Sequence, residues 1–155
     1  MGDIKKKKKK FRKPKKLFEK DRIETEDKIV LEYGLKNKRE IWKADSVVSK
    51  MRRRAKALIP ATDEERDQFF KKLKGLGLKV ENTADVLALT EKDILDRRLQ
   101  TIVYKKNLAN TPKEARQLIT HKKVAIDGKI NNRPSIFVDS VSEKKISLVN
   151  GGKNE

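Results

Sequence analysis

Thr111-Pro112-Lys113-Glu114-Ala115-Arg116-Gln117-Leu118-Ile119, followed by Val124-Ala125-Ile126-Asp127-Gly128-Lys129, decides the architecture of the carboxy-terminal half. Thr111 is a helix-capping residue, Pro112 fits the first helical position, and Glu114 completes a capping box. The helix that follows buries Ala115, Leu118 and Ile119. Lys113, Arg116, Thr120 and, if the helix lasts, Lys123 return to a second, basic side. Val124 and Ile126 then alternate with Ala125 into Asp127-Gly128, a two-residue hairpin turn, with Lys129 and Ile130 returning. Ile136–Val138 and Lys145–Val149 read as further short strands.

Upstream, Thr90 and Asp93 offer a helix start, and Ile94, Leu95, Leu99, Ile102 and Val103 form an apolar stripe running to Asn107, which can close the helix in the left-handed region. Thr62 with Glu65 predicts another capped helix, with Phe69, Phe70 and Leu73 on its apolar side and Gly75 as its stop. Gly75-Leu76-Gly77 lacks the remaining pattern of a phosphate-binding loop and reads as a turn. Ile41, Ala44, Val48, Met51, Ala55 and Leu58 recur at helical spacing, a seam along a long helix that starts near Lys38 and ends before Pro60. Its other faces carry Arg39, Lys43, Lys50, Arg52, Arg53, Arg54 and Lys56, with no Glu after Glu40 to lace them into salt bridges. Before it, Thr25–Tyr33 predicts a short helix stopped by Gly34.

The chain has 155 residues, with 41 Lys and Arg against 23 Asp and Glu, a formal net charge of +18 that calls for a large anionic partner. Lys5–Lys10, Arg12, Lys13, Lys15 and Lys16 form an arm that cannot collapse alone and is expected to be disordered without a partner, which fits a solubilising or targeting tail and an arm threaded among phosphates equally well. No apolar run approaches the ~20 residues of a membrane span, and the Lys run is not followed by the apolar region of a secretory signal. With no Cys and one His, neither a disulfide framework nor a metal centre is expected. Aromatics are only 5% of the chain, which disfavours stacking on a free strand and favours phosphate and shape recognition of folded RNA. Trp42 has two fates open to it, packing against neighbouring helices or stacking at the RNA rim, of which packing is the more common.

Asp96-Arg97-Arg98-Leu99, the capped helix from Thr111, the strand and turn Val124–Lys129, and Arg133-Pro134-Ser135 together resemble the RNA-binding module named after small-subunit ribosomal protein S-four. That module also occurs in pseudouridine synthases, tyrosyl-tRNA synthetases and a heat-shock protein, so alone it implies RNA binding only. Glu32-Tyr33-Gly34-Leu35-Lys36-Asn37-Lys38-Arg39-Glu40-Ile41-Trp42 and Arg97-Arg98-Leu99-Gln100-Thr101 are similar to the archaeal and eukaryotic branch of the ribosomal family. Where the bacterial branch often has Gly, Asn107 and Lys122 stand. Neither is forbidden, since Asn tolerates the left-handed region and a longer turn can replace a glycine stop. The zinc-binding amino terminus of some relatives does not carry over to a chain without Cys.

The expected fold is α+β: a helical amino-terminal body and a small module of two helices on a short, mostly antiparallel sheet, with a disordered basic arm. Residues 1–20 form the arm, 21–95 the helical domain, 96–149 the module and 150–155 a tail. The resemblance implies a structural constituent of the small ribosomal subunit, ribosome-bound in the cytoplasm. It would bind small-subunit rRNA directly, support early assembly and lie near the region where messenger RNA enters. Its partners would be that rRNA and neighbouring small-subunit proteins, with no membrane, cofactor, metal or small-molecule substrate. Candidate RNA contacts are Lys38, Arg39, Arg52, Arg53, Arg54, Arg97, Arg98, Lys113, Arg116, His121, Lys122, Lys123 and Arg133. The alternatives are a transient assembly factor of the same family, the anchor of an RNA-modifying enzyme, for which no acid, base or nucleophile set is apparent, and a DNA-compacting protein. A membrane-surface role is weaker, because the apolar stripes are narrow.

Overall fold

The structure is a computed structural model and describes residues 9–149. Residues 1–8, which include much of the expected disordered arm, and the tail from 150 lie outside the described residues. Helices α1 (Lys20–Glu32), α2 (Arg39–Ala57), α3 (Asp63–Gly75), α4 (Thr83–Ala88) and α5 (Glu91–Asp96) come first. After them α6 (Leu99–Lys105) and α7 (Pro112–Thr120) lead into β1 (Val124–Ile126), β2 (Lys129–Ile130), α8 (Ser140–Lys144) and β3 (Ile146–Leu148).

The α2 seam is realised. Ile41, Ala44, Val48 and Ala55 are buried, with Met51 and Leu58 packed beside them, against Ile29, Tyr33, Leu73, Val80, Val86, Ile94 and Leu95. A second apolar cluster unites Leu99, Ile102 and Val103 of α6 with Ala115 and Ile119 of α7, and with Val124, Val138 and Ile146. The sheet that backs this cluster has the order β2-β1-β3, antiparallel throughout, with Ala125 opposite Ile130 and Val124 opposite Leu148. Asp127 and Gly128 both take positive φ, +54° and +75°, which matches the right-handed twist of the flanking strands.

Helix ends recur in one form. After α1, Gly34 N–H donates to Leu31 O and Leu35 N–H to Val30 O, at 3.3 and 3.0 Å. The same pair of bonds closes α3 at Gly77, α6 at Asn107 and α7 at Lys122, all four residues having positive φ. The α3 stop is thus Gly77, while Gly75 is the last helical residue. Gly34 also sits against the start of α7. A Cβ there would lie 3.0 Å from both Lys113 N and Pro112 Cβ.

Other expectations are corrected. The stripe from Thr90 to Asn107 is two helices, because Arg98 is extended (φ −76°, ψ 145°) and bridges Phe137. Leu99 N–H donates to Ile136 O and Val138 N–H to Arg97 O, at 2.9 and 3.1 Å. Those exchanges consume the predicted strand Ile136–Val138, which persists only as this bridge. Thr62 starts α3 without a side-chain cap. The short helices α4 and α8 were not anticipated, although Asp85 accepts from Asn82 N–H (3.0 Å) in a motif visible in sequence. By contrast, Thr111 Oγ1 accepts from Glu114 N–H at 3.1 Å, as its capping role requires.

Two opposite substitutions test the helix stops. Lys122→Gly should raise stability by about 1 kcal/mol, because a side chain in the left-handed region costs roughly that much. Gly34→Ala should lower it by about 2 kcal/mol, since strain and the close approach of α7 add. Urea denaturation monitored by circular dichroism measures both, and equal midpoints for the two variants would refute this account.

Candidate nucleic-acid interface

The candidate cations fall into two populations. Arg98 is interior, its side chain 7% exposed, and its Nη1 donates to Glu40 Oε2 at 2.7 Å. Arg116, at the middle of α7, reaches the other oxygen, Nη2 to Glu40 Oε1 at 3.0 Å, and also donates to Gln100 Oε1 at 3.2 Å. Glu40 therefore stands between two guanidiniums at the contact of α2 with the second apolar cluster's helices. Gln100 completes the junction, the two N–H groups of its amide shared among Tyr33 O, Gly34 O and Pro112 O at 2.9–3.1 Å. A buried amide with its partners in place locks the relative position of α1, α6 and α7.

Burial pushes the Glu40 carboxyl up, but the hydrogen bonds and charges of Arg116 and Arg98 outweigh it and hold its pKa below the ordinary range. Burial in turn lowers that of Arg98, opposed by Glu40. Beside them, burial and then the carboxylate of Asp96, which accepts from the Tyr33 hydroxyl at 3.0 Å, keep that phenol protonated well beyond its usual range.

Arg97 is similarly engaged. It donates to Leu76 O, Val138 O and Glu143 at 2.8–3.0 Å, and its guanidinium covers Gly77, where a Cβ would meet Cζ at 2.5 Å. Arg52 donates to Leu89 O at 2.5 Å, and Lys38 is paired with Asp27 at 2.7 Å while donating to Ile23 O. The guanidiniums of Arg39 and Arg54 lie over the rings of Phe11 and Phe69 at 5.4 and 5.6 Å, with both residues exposed.

The second population faces outward. Arg53, Lys113, His121, Lys122, Lys123 and Arg133 are exposed, and among the described residues none of them makes an ion pair with Asp or Glu. Because α7 ends at Thr120, Lys122 and Lys123 lie on its closing turn and not on its helical face. His121 and Lys123 come together with Gln117 at one surface hollow of about 290 Å³. Sequence reasoning missed Glu40 and Gln100 as junction residues. The only signal was a polar residue, Gln100, inside an apolar stripe. Trp42 packs as expected, its Nε1–H donating to Glu26 Oε1 at 3.0 Å. Among the described residues no group of acidic, His or Cys side chains could hold a metal ion, and no helix is long and apolar enough to cross a membrane.

Two helices packed on a three-stranded antiparallel sheet, with the first strand entered from a basic helix, define a protein built around an S4-type module, and residues 97–143 match the S4 domain family. The small ribosomal subunit protein uS4 of Saccharolobus solfataricus is 46% identical over 153 residues, covering 94% of this chain and 84% of the relative. The uS4 protein of Picrophilus torridus is 41% identical over 156 residues, covering 95% and 85%. The chain belongs to the uS4 family.

The Glu40 junction carries a pH signature. Its folded pKa is depressed, so its contribution is complete above the unfolded carboxylate value and is lost as pH falls through the folded one. Glu40→Gln should cost about 3 kcal/mol at pH 7, by leaving two guanidiniums without a counter-charge. The difference from wild type should shrink on acidification below pH ~4.5, the ordinary carboxylate range. Thermal melts across pH for both proteins check this. A constant difference at every pH would exclude the ionised carboxylate as its source.

Proposed function

We propose that this chain is a structural constituent of the small ribosomal subunit, ribosome-bound and without catalytic activity, that binds small-subunit rRNA directly. The observation that carries this reading is the partition of its charges: carboxylates neutralise the inward guanidiniums, leaving outward cations for an external polyanion. Kinship with uS4 proteins supports the same reading.

In this proposal Lys113, His121, Lys122, Lys123 and Arg133 contact rRNA from the module, and Arg39, Arg53 and Arg54 contact it from α2. Arg97, Arg98 and Lys38 act by fixing the body's shape. Arg52 does the same, and Arg116 is divided between the Glu40 junction and the surface. Two apolar clusters that meet near residue 96 support a division into a helical domain, 21–95, and an RNA-binding module, 96–149, flanked by the arm, 1–20, and the tail, 150–155. We also assign it a part in early subunit assembly, among neighbouring small-subunit proteins, and a position near the region where messenger RNA enters.

Charge neutralisation predicts a steep salt dependence. If roughly 6–10 phosphates are engaged, affinity for small-subunit rRNA should fall about 1,000-fold or more between 50 and 200 mM salt. Filter binding measures this, alongside Lys113→Ala with Lys123→Ala, which should weaken binding without moving the melting temperature. One copy per salt-washed small subunit is the expected stoichiometry, and presence on precursor particles alone would instead identify a transient assembly factor. Preference for duplex DNA over rRNA would overturn the proposal.

A further inference from the structure

Residues 9–12 are fastened along α2. Phe11 packs on Trp42, ring centroids 6.1 Å apart and planes 33° from parallel, and the Arg39 guanidinium lies on the ring. The backbone N–H of Arg12 donates to Ser46 Oγ at 3.3 Å. Between this segment and α2 runs a groove of about 170 Å³, lined by the cations Lys9, Lys10, Arg12, Lys50 and Arg53, with Ser49 among them. No carboxylate lines it, and among the described residues none of those cations makes an ion pair with Asp or Glu.

Like charges facing one another across a narrow groove repel, and an anion from outside is what relieves them. The chemistry of the walls narrows that anion further. Ammonium and guanidinium groups with a hydroxyl suit phosphate oxygens. The aromatic ring present, Phe11, is committed to Trp42 and Arg39, so bases have no platform on which to stack.

We propose that this groove is a site for the RNA phosphodiester backbone, in which a strand passes between the fastened segment and α2. Lys50 and Arg53 engage its phosphates from one wall and Lys9, Lys10 and Arg12 from the other, with the Ser49 hydroxyl donating. The inference rests on the rRNA-binding reading above and locates a contact outside the S4 module. Phe11 is a positioning residue: it bears no charge, but it holds the outer wall in place.

The test uses the full chain and small-subunit rRNA, with affinity measured across a salt series. Lys9→Ala with Lys10→Ala and Lys50→Ala should reduce low-salt affinity at least ~10-fold and flatten the log–log salt slope by roughly 2, as expected for the loss of about three phosphate contacts. A control that removes the same charge from α3, Lys71→Ala with Lys72→Ala and Lys74→Ala, should change affinity by less than about twofold if contact, and not net charge, is responsible. Phe11→Ala, which keeps every cation, should lose part of the same affinity, and Phe11→Trp should restore it. Because the chain has no Cys, Ser49→Cys provides a unique attachment point for a hydroxyl-radical source, which should cleave one backbone tract of the RNA. Groove and control variants that behave alike, or a source at position 49 that cleaves no tract of the RNA, would overturn the groove while steep wild-type binding leaves the rRNA reading intact. Wild-type chain that fails to bind the rRNA would remove both.

Discussion

The carboxylate of Glu40 fixes how the two halves of this protein meet. Each half has its own apolar cluster, and across the contact between them Glu40 pairs with Arg98 and Arg116 while the Gln100 amide reaches three carbonyls. Apolar contact alone tolerates sliding; a buried charge does not, because any displacement leaves an unpaired ion in a poorly solvating place. The backbone beside the pair departs from the helix as well. Arg98 is extended where it bridges Phe137, and the chain breaks between α5 and α6 and borrows carbonyls from residues 134–136 to satisfy the amides of Leu99 and Gln100.

Much of the secondary structure was legible because it is encoded locally. Thr111-Pro112-Lys113-Glu114 contains its own cap, Asp127-Gly128 its own turn, and the α2 seam its own periodicity. Gly34 and Asn107 were readable as helix stops for the same reason. Lys122 was not, since nothing in a lysine announces the left-handed region; there the two closing hydrogen bonds and the start of β1 impose it. The break at Arg97–Arg98 was illegible because the groups that Arg98 meets, Phe137 through its backbone bridge and Glu40 through its side chain, lie far away in sequence. A helical stripe is indifferent to whether two residues in its middle, Arg97 and Arg98, are helical.

The candidate interface was legible in the same graded way. Composition gave the sign of the partner's charge, and the family resemblance gave the module, but charge in a sequence does not say where it is spent. Arg53 and Arg98 have the same side chain, yet one is exposed and the other buried against a carboxylate. The basic segment before α1 is expected from sequence to be disordered, and its described root, residues 9–19, has no helix or strand; it is nevertheless held through Phe11 and Arg12, and Arg22 donates back to Lys16 O and Leu17 O. Such pinning depends on a single aromatic meeting Trp42, a pairing with no local signature.

The ionic character of the Glu40 junction also sets how the protein responds to heat. Hydration of charged groups becomes less favourable as temperature rises, so the cost of keeping Glu40, Arg98 and Arg116 from water declines just where apolar burial ceases to gain strength. The seam between the halves is therefore the part of the molecule whose relative strength grows on warming. Warming therefore weakens the register between the halves, and with it the geometry by which α2 and α7 present their outer cations, less steeply than it would weaken an apolar contact of the same extent.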